Sequence, residues 1–271
     1  MIDMDKRLND LVILIRGAGE MATGVAHRLA SCHFKICMTE VSDPQAVRRE
    51  VTFSEAIFDH EKEVEGVTAK RIDSPDHIFQ VWKEGKVPIL IDPDAKVKDF
   101  LKPDVLIDAT LAKKNLGTKI TDAPLVIGLG PGFHAGKDVH LVIETNRGHN
   151  LGRVIANGEA EPNTGIPGSI AGYTEERVIR APKGGKFNVL RKIGDGVRAN
   201  EKVGLVGNVA VRSRIAGVIR GLLRDGTEVW KGMKLGDVDP RGIKAHCYTI
   251  SDKARTISGG VLQAIVEHFN G

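Results

Sequence analysis

Apolar residues in the first half of the chain come in short continuous runs: LVILI at 11–15, FKICMTE at 34–40, VPILI at 87–91, VLIDAT at 105–110, LVIGL at 125–129 and VHLVIET at 139–145. Between several of them lie helical patterns with start signals. Asp43 and Pro44 precede QAVRREV, and Ser74 and Pro75 precede DHIFQVWKEG, with Ser74 placed as N-cap and Pro75 as the first helical residue. Strands apolar on both faces, alternating with helices, predict a parallel sheet covered on both sides. Open sheets of that kind bind ligands beyond the carboxyl ends of their strands. Those ends carry Gly17 and Gly19, Glu40, Asp92, Asp108 with Thr110, Gly130 to Gly132, and Glu144 with Thr145. Each alone also reads as a turn former.

The first strand runs straight into Gly17-Ala18-Gly19-Glu20-Met21-Ala22, a G-x-G-x-x-A turn opening a helix, and Glu40 ends the next strand about twenty residues on, where an acid commonly holds ribose hydroxyls. The expectation is a pocket for a small anionic, nucleotide-like ligand, with backbone N–H groups of the turn facing its phosphates. Glu20 is the discordant residue. A carboxylate about 4 Å from a phosphate charge costs on the order of 4 kcal/mol at an effective dielectric of 20, so Glu20 points away, or the site takes something other than an ordinary dinucleotide, or a cation lies between; a purely structural role at the helix dipole is also available.

A second glycine-rich stretch, 128–173, concentrates Gly130, Gly132, His134, His140, Asn146, Arg147, His149, Asn150 and Arg153 without periodic structure. It predicts a loop-built site facing the glycine turn, with Arg147 and His149 placed to neutralise an anion. The alternative is a set of connecting turns with exposed histidines. The three histidines lack a compact metal-ligand spacing, so no metal is assigned.

From about 176 the pattern changes. Residues 180–206 align with 212–238 at a constant shift, pairing Gly185 with Gly217, Val197 with Val229, Gly204 with Gly236 and Val206 with Val238. Two copies of a short β unit that cannot bury its own apolar face predict one interlocked barrel or sandwich. The repeat resembles the barrel-sandwich hybrid of biotinyl and lipoyl carrier domains, with GDGV at 194–197 and DGTEV at 225–229. In such carriers the resemblance implies a cofactor-bearing lysine on the hairpin, yet 203–217 contains no lysine, so a docking or lid role is expected. A helix over about 260–269 is expected to return to the α/β body.

Composition narrows the partners. A net charge of +4, with Lys and Arg nearly balanced by Asp and Glu, gives no basic tract for nucleic acid. No apolar run reaches the length of a membrane span. Cys32, Cys37 and Cys247 are too few and scattered for a disulfide framework, which favours a reducing, cytoplasmic setting. Cys32 and Cys37 read as small buried hydrophobes.

Three segments carry a family resemblance: RGAGEMATGVAHRL at 16–29, GLGPGFHAGKDVHLVIETNRGHNLGRVI at 128–155 and NTGIPGSIAGY at 163–173. Together they resemble the YqeB-type selenium-dependent molybdenum hydroxylase system proteins, relatives of the XdhC and CoxI maturation factors. The resemblance implies an accessory factor with a Rossmann-like α/β domain over 1–175, a barrel-sandwich-like module over 176–240 and a C-terminal segment over 241–271. It further implies a molybdenum hydroxylase subunit as partner and NAD(P) or the pterin-based molybdenum cofactor as ligand. Gly17, Gly19, Glu20, Ala22, Glu40, Asp108, Gly130, Gly132, Arg147 and His149 are the expected binding residues. A homo-oligomer is expected. An NAD(P)-dependent oxidoreductase and a non-catalytic scaffold are the alternatives.

Overall fold

A computed structural model describes residues 7–270, and the chain divides into two units. The first takes the chain up to Pro44, Thr52–Asn163 and the chain from Ile250 on. It contains β1 (Val12–Arg16), α1 (Glu20–Ser31), β2 (Lys35–Glu40), α2 (Ala56–Asp59), β3 (Glu61–Val64), β4 (Val67–Arg71), α3 (Ile78–Lys83), β5 (Val87–Ile91), α4 (Lys98–Leu101), β6 (Val105–Asp108), β7 (Leu125–Leu129), β8 (His134–Ala135), β9 (Leu141–Ile143), β10 (Val154–Ile155) and β11 (Gly158–Glu159). A nine-stranded sheet runs in the order β10-β9-β7-β6-β1-β2-β5-β4-β3. Its interior pairs are parallel, and β3 and β10 close the two edges antiparallel. The continuous apolar runs become its buried centre, where Ile13, Leu14 and Ile15 are wholly inaccessible.

β1 is central, with β2 on one side and β6 on the other. After β5 the chain crosses over β1 to β6, so the strand order reverses at β1, the switch point at whose carboxyl edge open parallel sheets bind ligands. One face is covered by Ile78 and Val81 of α3 and by Val97, packed on Leu14, Cys37, Leu90, Leu106 and Val126. The Ser74 hydroxyl accepts from the Asp76 amide and Pro75 stands at the first helical position, so that start signal acts as read.

The second unit comprises Gln45–Val51 and Thr164–Thr249. Its strands are β12 (Val178–Arg180), β13 (Gly185–Val189), β14 (Gly196–Val197), β15 (Lys202–Val206), β16 (Val209–Arg212), β17 (Gly217–Leu222), β18 (Glu228–Val229) and β19 (Lys234–Asp239). They form two four-stranded antiparallel sheets, β12-β19-β17-β14 and β16-β15-β13-β18. The sequence repeat is visible as pairing. β14 of the first copy pairs with β17 of the second, β18 of the second pairs with β13 of the first, and Gly217 faces Val197 as Gly185 faces Val229. Neither copy can close its core alone; Phe187, Val203, Val206, Ile219, Leu222, Leu235 and Val238 from both fill it.

Two expectations are corrected here. The β unit is wider than 176–240, and QAVRREV is no α-helix: Arg49–Val51 forms a short 3-10 turn. Tertiary bonds override its propensity. The Leu222 amide donates to the Val47 carbonyl at 2.8 Å, and Arg48 Nη2 donates to the carbonyls of His246 and Thr249 at 3.0 and 3.1 Å.

The last helix, α5 (Asp252–Asn270), belongs to the first unit. Ala254, Ile257, Val261, Ala264 and Ile265 recur at helical spacing and are buried. α5 packs on α1 and reaches β7, β9 and β10. The two helices meet through small residues: a Cβ placed on Gly24 would lie 2.8 Å from that of Ala254.

Candidate functional site

The glycine turn follows β1 at this switch point. Gly17 has φ +96°, donates its N–H to the Thr39 carbonyl at 2.8 Å, and would bring a Cβ within 3.1 to 3.2 Å of Ala109 O and Thr110 N. Its glycine is therefore required by the close approach of the loop that follows β6. Gly19 is different. Nothing lies within 4 Å of where its Cβ would stand, so the turn is open on that side. Gly19 is the N-cap of α1 and no side chain caps the helix; the first-turn N–H groups of a helix have no partner inside it. Ala22, by contrast, is fully buried and serves packing.

Glu40 at the end of β2 accepts the Ala18 amide on one carboxylate oxygen and the Val41 amide on the other, both at 2.8 Å. Burial pushes its pKa up, against the two amides. The carboxylate thus pins the turn, and each oxygen keeps a lone pair for a further donor. Val41 and Ile91, 41% and 40% exposed, flank it, and Ile91 is the register partner of Glu40.

The cations come from elsewhere. Lys253, in the first turn of α5, is half-buried, and burial holds its ammonium below the ordinary lysine range; the positive charges of Lys113 and Arg147 push the same way, opposed by Glu20 and Glu144. Lys113 lies in the loop after β6, with φ +64° and a pKa lowered by desolvation. Arg147 donates to both oxygens of Asp252 at 2.7 and 2.9 Å. Lys253 is thus the group whose charge is felt alongside Lys113, Arg147, Glu20 and Glu144, and its ammonium is a cation within the electrostatic reach of Glu20.

Other expected residues go to structural duties. Asp108 is wholly buried: it accepts from Thr118 Oγ1 at 2.6 Å, from the Thr110 amide and hydroxyl at 3.1 and 2.7 Å, and from Arg16 at 3.4 Å. It is closed to a ligand. A Cβ on Gly130 would strike Thr145 Oγ1 at 2.3 Å and one on Gly132 would strike the Lys114 amide at 2.6 Å, so both are glycine to let neighbouring loops approach. His149 is exposed in the turn after β9. Cys37 is buried, with its thiol pKa driven up, whereas Cys32 is exposed, against expectation.

Glu144 is 2% exposed and accepts the amides of Asn146 and Glu161 at 2.6 and 2.7 Å. It also lines a cavity of about 420 Å³ with Asn150, Arg153, Ile155, Glu159 and Glu161. Among the described residues no three of His, Cys, Asp and Glu stand together as a metal site.

Lys113 and Lys253 escaped the sequence reading. Lys113 comes three residues after the strand end VLIDAT, a usable signal. Lys253 was hidden because Gly259 and Gly260 interrupt the helical pattern, so the helix was started eight residues late.

The chain is 48% identical over 255 residues, 94% of its length, to the uncharacterized protein YqeB of Escherichia coli strain K12. It is a YqeB homologue. It spans about half of that relative's length, 47%. No family model matches the chain. Among solved structures, the apo ectoine utilization protein EutE (DoeB) from Ruegeria pomeroyi has a TM-score of 0.26 at 10% identity, covering 84% of this chain and 86% of that one. An aspartoacylase family protein from Mesorhizobium loti has a TM-score of 0.26 at 10% identity, with 84% of each chain covered. Likeness at these scores carries no argument. Homology with YqeB concerns ancestry; the chemistry of the site rests on its own geometry.

Proposed function

We propose that this YqeB homologue is an accessory protein of a selenium-dependent molybdenum hydroxylase, related to XdhC and CoxI, and that it holds a nucleoside diphosphate ester at the glycine turn. The strand order around β1, with the four strands β2 to β5 on one side entered before the crossover and the rest after it, supports a Rossmann-like reading of the first unit. The exchanged middle strands support a barrel-sandwich-like reading of the second. The observation that carries the ligand is the meeting of an uncapped α1 N-terminus, open at Gly19, with Lys113, Arg147 and Lys253.

The residues fit such a group. A pyrophosphate placed beside Gly19 faces backbone N–H groups and the positive end of α1. Strands are spaced by about 4.8 Å, so β5 stands roughly 10 Å from β1, the span of a nucleoside. Glu40 is then placed for ribose hydroxyls, and Val41 and Ile91 for the face of a base. Pterin dinucleotides and nicotinamide dinucleotides share this group; a pterin cofactor would supply the metal-binding dithiolene of the hydroxylase. Asp252 competes with the ligand for Arg147, and Lys253 neutralises Glu20.

Calorimetry with ADP, inorganic pyrophosphate, NAD and NADP tests the reading. Micromolar to millimolar binding of ADP is expected, weakened at least tenfold by Lys253→Gln. The absence of binding by all four, or an unchanged affinity in Lys253→Gln, overturns it.

A further inference from the structure

The chain's mild net charge conceals an uneven distribution. Gln45–Val51 and Thr164–Thr249 together hold 18 Lys and Arg against nine Asp and Glu, a net of +9 in a chain whose total is +4, which leaves the other unit at −5. Two of those nine acids are withdrawn from the surface: Asp237 is buried against Arg177, and Asp239 against Arg241 and Arg220. The surface of the β unit is more basic than its sequence total.

The charge gathers at one end of the β15–β16 hairpin. Lys202 and Arg212 are register partners, directly opposite each other and both exposed. Like charges so placed repel across a sheet. Arg212 Nη1 donates to the Asn200 carbonyl at 2.8 Å, and the Asn200 amide donates to Ser213 O at 2.8 Å, which brings the neighbouring Arg214 to the same end. Arg191 donates to Glu201 at 2.5 Å, and the exposed Arg198 follows the same turn, its amide on Glu201 at 2.8 Å. Glu201 is shared between the two, while Arg214 donates to the Glu175 carbonyl at 3.5 Å and its charge reaches Glu176. Beside Arg191 stands Leu190, 53% exposed, its amide donating to Val203 O, next to Lys202, at 3.0 Å.

We infer that this hairpin end is a docking face for an acidic protein surface. Two observations select a protein over a nucleic acid. Arginines beside an exposed apolar side chain have the composition of a protein interface, and none of the residues named in the group is an aromatic on which bases could stack. The repelling Lys202–Arg212 pair is relieved when carboxylates of a partner settle over it, and its attraction at a distance speeds encounter.

Fluorescence anisotropy with labelled poly-L-glutamate, at 50 and 300 mM salt, tests the inference, with a labelled 20-base-pair DNA duplex in parallel. The full chain is expected to bind polyglutamate at low salt and release it at high salt. K202E/R212E should weaken binding at least tenfold, and K186E/K231E, which makes the same change in net charge at exposed residues by the β13–β18 pairing, less than threefold. Circular dichroism and the thermal midpoint establish that both variants fold; if K202E/R212E does not, K202Q/R212Q replaces it with the same expected direction. Equal losses in the two pairs, no loss in either, or duplex DNA binding as tightly as polyglutamate overturns the inference. These outcomes are independent of nucleotide binding at the glycine turn.

Discussion

At the residue scale, the molecule separates carboxylates that hold the scaffold from those at the glycine turn. Asp108 and Arg16 form a buried pair whose remaining bonds are made by Thr110, Thr118 and the carbonyls of Pro93 and Leu116. Removing one partner leaves the other charged and buried, so Asp108→Ala is expected to lose about 3–5 kcal/mol of unfolding free energy in urea titration. Lys253 behaves in the opposite sense. Its pKa in the folded chain lies below the unfolded value, so between those two values the unfolded chain binds the proton and the folded chain does not. Stability therefore rises with pH across that window and is lower on its acid side. Lys253→Met should raise stability by about 0.5–1 kcal/mol near neutral pH while abolishing anion binding, read by thermal melts beside calorimetry. In the same way, ADP affinity of the native protein should decline as alkali removes the ammonium, below the pH expected of an ordinary lysine.

At the scale of elements, two adjacent glycines of α5 carry opposite expectations. A Cβ on Gly259 meets nothing within 4 Å, whereas one on Gly260 would stand 2.1 Å from the Gly152 carbonyl oxygen. Gly259→Ala should stabilise by about 0.8–1 kcal/mol through helix propensity, and Gly260→Ala should destabilise by about 1–3 kcal/mol through overpacking; denaturant midpoints separate them. The parallel strands were legible because continuous apolar runs have one economical use, and the glycine turn because strand, turn and helix follow in order. The β3–β4 hairpin was not, since EKEV and VTAKR are half polar and lie at a sheet edge. Nor was the burial of Asp108, whose partner Arg16 lies 92 residues away. The cationic group was half legible for the same reason: Arg147 was read, but Lys253 depends on where a distant helix returns.

For the whole molecule, discontinuity is the governing feature. The β unit takes Gln45–Val51 from within the α/β body's chain, and Val47 and Arg48 bond to its β17 strand and to the carbonyls after β19. A fragment of residues 164–249 should accordingly melt below the corresponding transition of the full chain. Adding a peptide of residues 43–53 should raise that melt, followed by circular dichroism; a fragment indifferent to the peptide would contradict the role given to Arg48. The repeat itself was visible in the sequence because its apolar positions keep register along with its glycines, while the threaded segment left no local mark.

The return of α5 has a bearing on biosynthesis. Arg147 and its partner Asp252 are 105 residues apart, and at translation rates of about 5–20 residues per second the second emerges roughly 5 to 20 s after the first. A nascent chain can thus fold its parallel sheet and expose its glycine turn well before Lys253 arrives. On the reading proposed above, a ligand that needs Lys253 would not be held until the intervening β unit has left the ribosome.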